Sequence, residues 1–82
     1  MVQISYRGEL QTMTGKSSES IDAAIVKDVL RYIKASYGAA AWKTAKAMLI
    51  VVNSESILLR KVFNTTLDDG DIVSFLPICG GG

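Results

Sequence analysis

The sequence predicts a two-layer α+β domain in which one main helix covers one face of a single sheet. Three patterns support this prediction. Val2, Ile4 and Tyr6 alternate with polar residues, which is typical of a half-buried strand. Apolar residues recur every three or four positions across residues 24–37, which indicates an amphipathic helix. Residues 47–52 form a continuous apolar run rich in β-branched side chains, which favours a central strand buried on both faces.

The segments around the main helix are less strongly patterned. Residues 9–15 are consistent with a short helical turn or a loop that stops at a glycine. Residues 17–21 predict a second strand that runs back along the first. Ser20 and Asp22 are both candidate N-caps of the main helix, because their side chains can accept a hydrogen bond from the first helical turn. Gly38 stands where the C-terminal cap belongs.

The second half of the chain alternates connecting segments with strands. The predicted segments are, in order, a connector with some helical character at 39–46, the buried strand, a turn at 53–55, a short strand at 56–59 and an irregular segment at 60–66. Residues 67–71 read Leu-Asp-Asp-Gly-Asp, a strong turn signal because Asp bonds nearby backbone and Gly accepts a positive φ. Residues 72–76 predict the last strand, which Pro77 ends.

Composition excludes several classes of function. The 82 residues carry nine basic and eight acidic side chains, interleaved along the chain, so nucleic-acid binding is not predicted. The chain has no histidine and a single cysteine, Cys79, which excludes an internal disulfide and the usual zinc and iron–sulfur sites. Its first residues lack the apolar run of a signal peptide, and no stretch is long enough to span a membrane. We therefore expect a cytoplasmic protein that binds no metal, nucleic acid or membrane.

The sequence closes on three consecutive glycines, Gly80, Gly81 and Gly82, directly after the apolar residues of the last strand. We expect residues 1–79 to form the domain and residues 80–82 to form a flexible tail. Because glycine has no Cβ, such a tail can enter a narrow channel that larger side chains would block. From the glycines alone, the tail is either a frayed terminus or a segment that enters a partner protein.

This ending, together with the order of strands and helix, resembles the β-grasp sulfur carriers of the MoaD/ThiS family, and most closely the small subunit of molybdopterin synthase. In MoaD-like chains an Asp-Gly-Asp turn precedes a strand, a proline, a few small residues and a final Gly-Gly. Pro77 stands at the family's distance from the end, so Gly81 and Gly82 take the diglycine positions and Gly80 a variable one. Two residues depart from the pattern: Ile78 replaces a second proline, and Cys79 replaces an aliphatic residue.

The resemblance implies a ubiquitin-like β-grasp fold, with a mixed sheet of four to five strands. It also implies that an E1-like, MoeB/ThiF-like enzyme uses ATP to adenylate the carboxylate of Gly82, which is then converted to a thiocarboxylate. A downstream enzyme, such as a MoaE-like large subunit, would accept the sulfur. The chain itself would bind no cofactor and would not be a catalyst on its own, because it lacks a nucleotide-binding glycine loop before a helix.

The same resemblance assigns roles around the tail. Gly80 and Gly81 would thread into the partner, and Phe75, Leu76, Pro77 and Ile78 would form its partner-binding surface. Phe75 shares the alternation of Val73 and is therefore also a core candidate, whereas Leu76 and Ile78 would flank the tail as exposed apolar contacts.

Several alternatives stay open from the sequence. Cys79 is either a small apolar filler or a thiol close enough to the end to trap sulfur, and Trp42 is either a partner anchor or a lid on the core edge. The function is a sulfur carrier, a ubiquitin-like modifier joined to lysines through Gly82, or an interaction domain with an inert tail. The recipient of the sulfur would be molybdopterin or tungstopterin, with thiamin, cysteine and tRNA thiolation as alternatives.

Overall fold

The computed structural model describes residues 1–53, the backbone of 55–56, and residues 65–77. Within these ranges the chain forms five strands and three helices. They are, in order, β1 (Val2–Tyr6), α1 (Gly8–Thr14), β2 (Ser18–Ile21), α2 (Val26–Tyr37), α3 (Ala39–Ala47), β3 (Leu49–Val52), β4 (Glu55–Ser56) and β5 (Ile72–Leu76). The predicted α+β class and both predicted N-terminal strands are confirmed.

The five strands form one mixed sheet in the order β2-β1-β5-β3-β4. Strands β1 and β5 run parallel, with Tyr6 opposite Phe75, and the other neighbouring pairs run antiparallel. The prediction that residues 47–52 contain an interior strand is confirmed, because β3 lies between β5 and β4, with β5 at the centre of the sheet. Ile50, Val51 and Val52 are all buried, so burial on both faces of β3 is confirmed.

Helix α2 begins later than the sequence predicts, and neither Ser20 nor Asp22 is its N-cap. Ser20 belongs to β2, and the helix begins only after Ile25, which is extended and whose backbone bridges to Thr66. The cap comes from inside the helix: the Asp28 carboxylate accepts hydrogen bonds from the N–H groups of Ala24 and Ile25, at 3.0 and 3.3 Å. The start of the helix is therefore set by the bridge between Ile25 and Thr66, and not by the capping residues that the local sequence predicted.

The C-terminal end of α2 agrees with the prediction. The N–H of Gly38 donates to the carbonyl of Lys34 at 3.0 Å, and the positive φ of Gly38, 97°, turns the chain directly into α3. The expected connector is therefore a complete helix, which changes the expected single helix to one main helix with two shorter ones. Its buried residues, Ala41 and Ala45, are small enough for α3 to pack closely against α2.

One face of the sheet and the inner faces of the helices enclose a single core. Its largest fully buried side chains are Tyr6, Phe75, Ile4, Leu10, Ile33, Val2, Val26, Val29 and Val73. The strand residues in this set alternate along β1 and β5, as the sequence predicted, and the helical ones come from α1 and α2. No helix in the described ranges has both the length and the apolar character needed to cross a membrane.

Candidate functional site at the end of strand β5

The predicted reactive tail starts from the middle of the sheet. The last described residues before the tail are Leu76, which pairs with Leu49 of β3, and Pro77, which follows the strand. Ile78, Cys79 and the three glycines at 80–82 lie outside the described residues, so their predicted roles are not tested by the geometry. The structure instead describes the root of the tail, which is Leu76 and Pro77, and the residues around it.

Phe75 belongs to the core and not to the partner surface. Its side chain is fully buried and stacks on Tyr6, with ring centroids 6.5 Å apart and planes inclined by 20°. The prediction that Phe75 binds a partner is therefore corrected, because its side chain offers no accessible surface. Leu76 points to the opposite face, where it is partly exposed beside Leu49, and Pro77 is exposed. Leu76 and Pro77 thus remain available for a partner.

Pro77 packs against Gly8, the first residue of α1. Gly8 has a φ of +59°, and a Cβ built on it would lie 3.4 Å from both Cβ and Cγ of Pro77. No local pattern in the sequence indicates this pair. A glycine directly after a strand was the available signal, but its neighbour in space lies at the other end of the chain.

A groove opens beside the root of the tail, between α1 and α3. It encloses about 440 Å³ and is lined by Glu9, Lys43, Thr44, Ala47, Met48 and Pro77. Its lining is partly apolar and includes one carboxylate and one ammonium group. In the described part of the chain neither Glu9 nor Lys43 forms a salt bridge. The groove therefore combines apolar and charged groups next to the tail.

A polar cluster surrounds the side chain of Glu19 in β2. The Glu19 carboxylate accepts hydrogen bonds from the hydroxyls of Tyr6, Tyr32 and Tyr37, at 2.5, 2.6 and 2.7 Å. Lys16 Nζ donates to the same carboxylate at 3.3 Å. We call these five residues the Glu19 cluster. It ties β1, β2 and α2 together, and it reaches β5 because the Tyr6 ring stacks on Phe75.

The environment of the cluster shifts the pKa of its members. Burial alone would raise the pKa of Glu19, but the hydrogen bonds from the three tyrosines and Lys16 outweigh it, so the pKa is lowered. Burial, followed by the bond to Glu19, raises the pKa of Tyr6 and of Tyr37. The cluster is therefore held with Glu19 ionised and the two tyrosines neutral over a wide pH range.

The acidic turn at 67–71 precedes β5 and is held by hydrogen bonds at the end of the strand away from the tail. Gly70 has a φ of +90°, and the Asp71 carboxylate accepts the N–H of Asp68 at 2.8 Å and Nδ2 of Asn53 at 2.9 Å. These two hydrogen bonds lower the pKa of Asp71. The N-terminal ammonium group of Met1 pairs with Asp69. The predicted turn chemistry is confirmed, and the turn lies away from the tail.

Trp42 packs, partly buried, against the core. The ammonium groups of Lys34 and Lys46 lie 4.4 and 3.8 Å from the centroid of its ring, which is cation–π geometry. This placement agrees with the interpretation of Trp42 as a lid on the core edge.

Among the residues that the structure describes, no cluster of three or more Cys, Asp or Glu is arranged to hold a metal ion.

Comparisons with known proteins agree with this architecture. The model of the ThiS family matches residues 4–82. In a complex of subunits 1 and 2 of molybdopterin-converting factor from Helicobacter pylori, the matching chain is 26% identical; the match covers 99% of this chain and 97% of that one, with a TM-score of 0.70. A comparison with curated protein sequences gave no match.

Two further solved structures share the fold at lower identity. Small archaeal modifier protein 1 from Methanosarcina acetivorans is 21% identical, covers 99% of this chain and 95% of its own, and has a TM-score of 0.83. The matching chain of the BexX/CysO complex from Amycolatopsis orientalis is 22% identical, covers both chains completely, and has a TM-score of 0.81. The β-grasp fold is thus confirmed. Because the family model matches nearly the whole chain, this chain belongs to the ThiS family of ubiquitin-like sulfur carriers.

Proposed function

We propose that this protein carries sulfur as a thiocarboxylate on Gly82 and donates it during the biosynthesis of a molybdopterin or tungstopterin cofactor. The observation that carries the proposal is the match to the ThiS family, which continues through residue 82 and so includes all three glycines. The structure supports it by placing the root of the tail at an exposed proline at the end of the central strand.

The length of the tail suits the proposed chemistry. Five residues follow Pro77, and an extended chain of that length reaches about 17 Å. The last carboxylate can therefore enter a partner's active site while the folded domain stays outside. Three glycines at the end minimise the width of the part that enters, because none of them has a side chain.

The reaction requires activation because a carboxylate is a poor electrophile. A carboxylate oxygen of Gly82 attacks the α-phosphate of ATP, and pyrophosphate leaves. A partner's persulfide then attacks the acyl carbon and AMP leaves, which gives an acyl disulfide. A second thiol reduces its S–S bond and releases the thiocarboxylate. ATP, persulfide and thiol all come from partners.

The proposed partners are an E1-like adenylating enzyme of the MoeB/ThiF type and a downstream MoaE-like large subunit. The second is supported by the Helicobacter pylori complex, in which a similar chain is bound to subunit 2 of a molybdopterin-converting factor. Leu76 and Pro77 are the described residues that such partners would contact first, since they are accessible and lie next to the tail.

A second function is a ubiquitin-like modifier joined to lysines of other proteins through Gly82. The observation that favours it is the similarity to small archaeal modifier protein 1, which shares the fold over nearly the whole chain. Both functions begin with the same adenylate. They differ in the nucleophile that accepts the acyl group, which is sulfur in a carrier and a lysine amine in a modifier.

Mass spectrometry of the protein from its native host tests the carrier function. We expect a fraction of the chain to be heavier by the difference between one sulfur and one oxygen atom, located on Gly82. Conjugation would appear instead as lysines of other proteins that carry a branched peptide of residues 62–82, because Lys61 is the last tryptic site. Finding neither species, with full function after deletion of Gly82, would contradict both functions.

A matched pair of tail variants tests the role of the diglycine. We expect Gly81→Ala to prevent accumulation of the thiocarboxylate, because its methyl group widens the part of the tail that must enter the adenylating site. Gly80→Ala, at the variable position, should retain most of it. Equal thiocarboxylate yields from the two variants would show that the tail is not read at the diglycine.

A further inference from the structure

We propose that helices α2 and α3 carry a docking surface for a carboxylate-rich surface on the enzyme that receives the tail. The docking surface consists of the exposed side chains of Lys34, Lys43 and Lys46 around Trp42, and we call it the basic patch. The inference rests on the proposed function in that the partner is the enzyme that takes the tail. It adds the charge that this partner presents and the residues that recognise it.

Two of the three ammonium groups of the basic patch share one aromatic ring. Lys34 reaches Trp42 from α2 and Lys46 reaches it from α3, with Nζ 4.4 and 3.8 Å from the ring centroid. The two groups cannot be farther apart than the sum of these distances, about 8 Å, which is the Debye length at physiological ionic strength. A partner's carboxylate beside Trp42 is therefore attracted by both.

No acidic residue in the described part of the chain forms a salt bridge with the basic patch. The salt bridges found there join the N-terminus of Met1 to Asp69 and Lys16 to Glu19. Helix α3 contains no acidic residue, and the one in α2, Asp28, uses its carboxylate to cap the helix. The three lysines repel one another in the free protein, so carboxylates from outside would relieve that repulsion.

The fold also separates charges that are interleaved along the sequence. Asp68, Asp69 and Asp71 lie in the turn before β5, at the end of that strand away from Pro77. Lys43 instead lines the groove of which Pro77 forms another part. The basic patch thus extends to the root of the tail. An enzyme that binds at Pro77 is next to Lys43 and remote from the acidic turn.

The basic patch suits a protein surface better than a nucleic acid or a membrane. Base stacking needs an open aromatic face, but Trp42 is partly buried and has two ammonium groups close to its ring. Insertion into a membrane needs large exposed apolar side chains, and those of the described chain, Met1, Met13 and Ile72, lie outside α2 and α3. Carboxylates need only the ammonium groups, and cation–π contact with the ring reduces the freedom that two of the lysines lose on binding.

The experiment measures, by calorimetry, the binding of the full chain to the adenylating enzyme and to the large subunit from the same host. It compares Lys43→Glu with Lys27→Glu, which changes the net charge equally at an exposed lysine about two helical turns, roughly 10 Å, before Lys34. We expect Lys43→Glu to weaken binding to at least one enzyme by about tenfold or more, and Lys27→Glu by no more than about threefold. Raising NaCl from about 50 to about 300 mM should weaken binding of the wild type more than that of Lys43→Glu.

A further variant is expected to act in the opposite direction. Glu9 lines the same groove as Lys43, so its carboxylate repels a carboxylate-rich partner. Glu9→Gln should therefore bind the same enzyme about two- to threefold more tightly than the wild type. If Lys43→Glu does not fold, Lys43→Gln replaces it, with Lys27→Gln as its control. A merely structural role of Lys43 would lower Tm without a selective loss of affinity.

The inference is overturned if the variants at positions 43 and 27 change the affinity equally, if Glu9→Gln binds more weakly, or if the wild type binds neither enzyme. It is also overturned if Lys43→Glu abolishes binding to anionic phospholipid vesicles or single-stranded DNA but leaves binding to both enzymes unchanged. The proposed function has a separate readout, the mass of the native protein. A thiocarboxylate without selective loss of affinity keeps the function and rejects the inference, whereas selective loss without a thiocarboxylate does the reverse.

Discussion

Replacing Glu19 by glutamine should destabilise the protein, because the Glu19 cluster depends on a carboxylate that accepts from every side. Oε2 accepts from Tyr6 and Tyr37, and Oε1 accepts from Tyr32 and Lys16. Glutamine keeps one acceptor oxygen and puts an NH₂ donor in place of the other. Whichever way the amide is turned, at least one tyrosine hydroxyl then faces a donor, while the rest of the side chain keeps its shape.

The size of the effect follows from the number of hydrogen bonds. A hydrogen bond to a charged group contributes about 1.5–3 kcal/mol and a neutral one about 0.5–1.5 kcal/mol. With the amide oxygen kept beside Tyr6 and Tyr37, Glu19→Gln removes the charged bonds from Tyr32 and Lys16 and makes the bonds from Tyr6 and Tyr37 neutral. Since Tyr32 and Tyr37 are partly exposed, water recovers part of the loss. We expect a decrease of about 2–3 kcal/mol in the free energy of unfolding, or about 8–24 °C in Tm.

Urea denaturation at pH 7, followed by circular dichroism, measures this difference directly. The matched control is Glu9→Gln, the same substitution at an exposed residue with no hydrogen bond or salt bridge in the described part of the chain. It should change the free energy of unfolding by no more than about 0.5 kcal/mol. If Glu19→Gln proves as stable as Glu9→Gln, the tyrosine bonds do not stabilise the fold and the reasoning is wrong.

Three further predictions concern the same scaffold. Folding lowers the pKa of Glu19, so the free energy of unfolding of the wild type should depend on pH. Its excess over that of Glu19→Gln should be complete above the ordinary glutamate pKa and should vanish as the pH falls through the lowered pKa. Acid titration of both proteins, monitored by fluorescence, measures this. Phe75→Ala should lower the free energy of unfolding, measured by urea denaturation, by about 3–5 kcal/mol because it empties a fully buried site. Leu76→Ala should lower it less, but should weaken partner binding, measured by calorimetry. Asn53, at a φ of 52°, donates to the Asp71 carboxylate and accepts the N–H of Ile72 in β5. Asn53→Gly and Asn53→Ala both lose these bonds, but only alanine adds a Cβ at a positive φ. The free energy of unfolding of Asn53→Ala should therefore be lower by about 1–2 kcal/mol, which a lower Tm than that of Asn53→Gly would show.

Elements with a strong local signal were predictable from the sequence. The alternation of Val2, Ile4 and Tyr6 determined β1, the three-and-four spacing determined most of α2, and the run at 67–71 determined the turn. Helix α3 was only half predicted, because its alanine-rich sequence has little amphipathic pattern and its burial depends on packing against α2. The predicted N-cap of α2 was wrong for a related reason, since the helix begins only after Ile25, which pairs with the distant Thr66.

The sequence by itself determined the class of fold, the family and the glycine tail, because each is encoded by residues that are neighbours along the chain. Only the tertiary structure decided which residues support the tail. Glu19 meets tyrosines 13 and 18 positions away, and Gly8 meets Pro77 from the opposite end of the chain. The contacts of Glu19 follow from the packing of α2 beside the antiparallel pair β1–β2, and the contact of Gly8 with Pro77 follows from the parallel pairing of the first and last strands. That pairing is a property of the whole sheet, so no local pattern of residues can specify it.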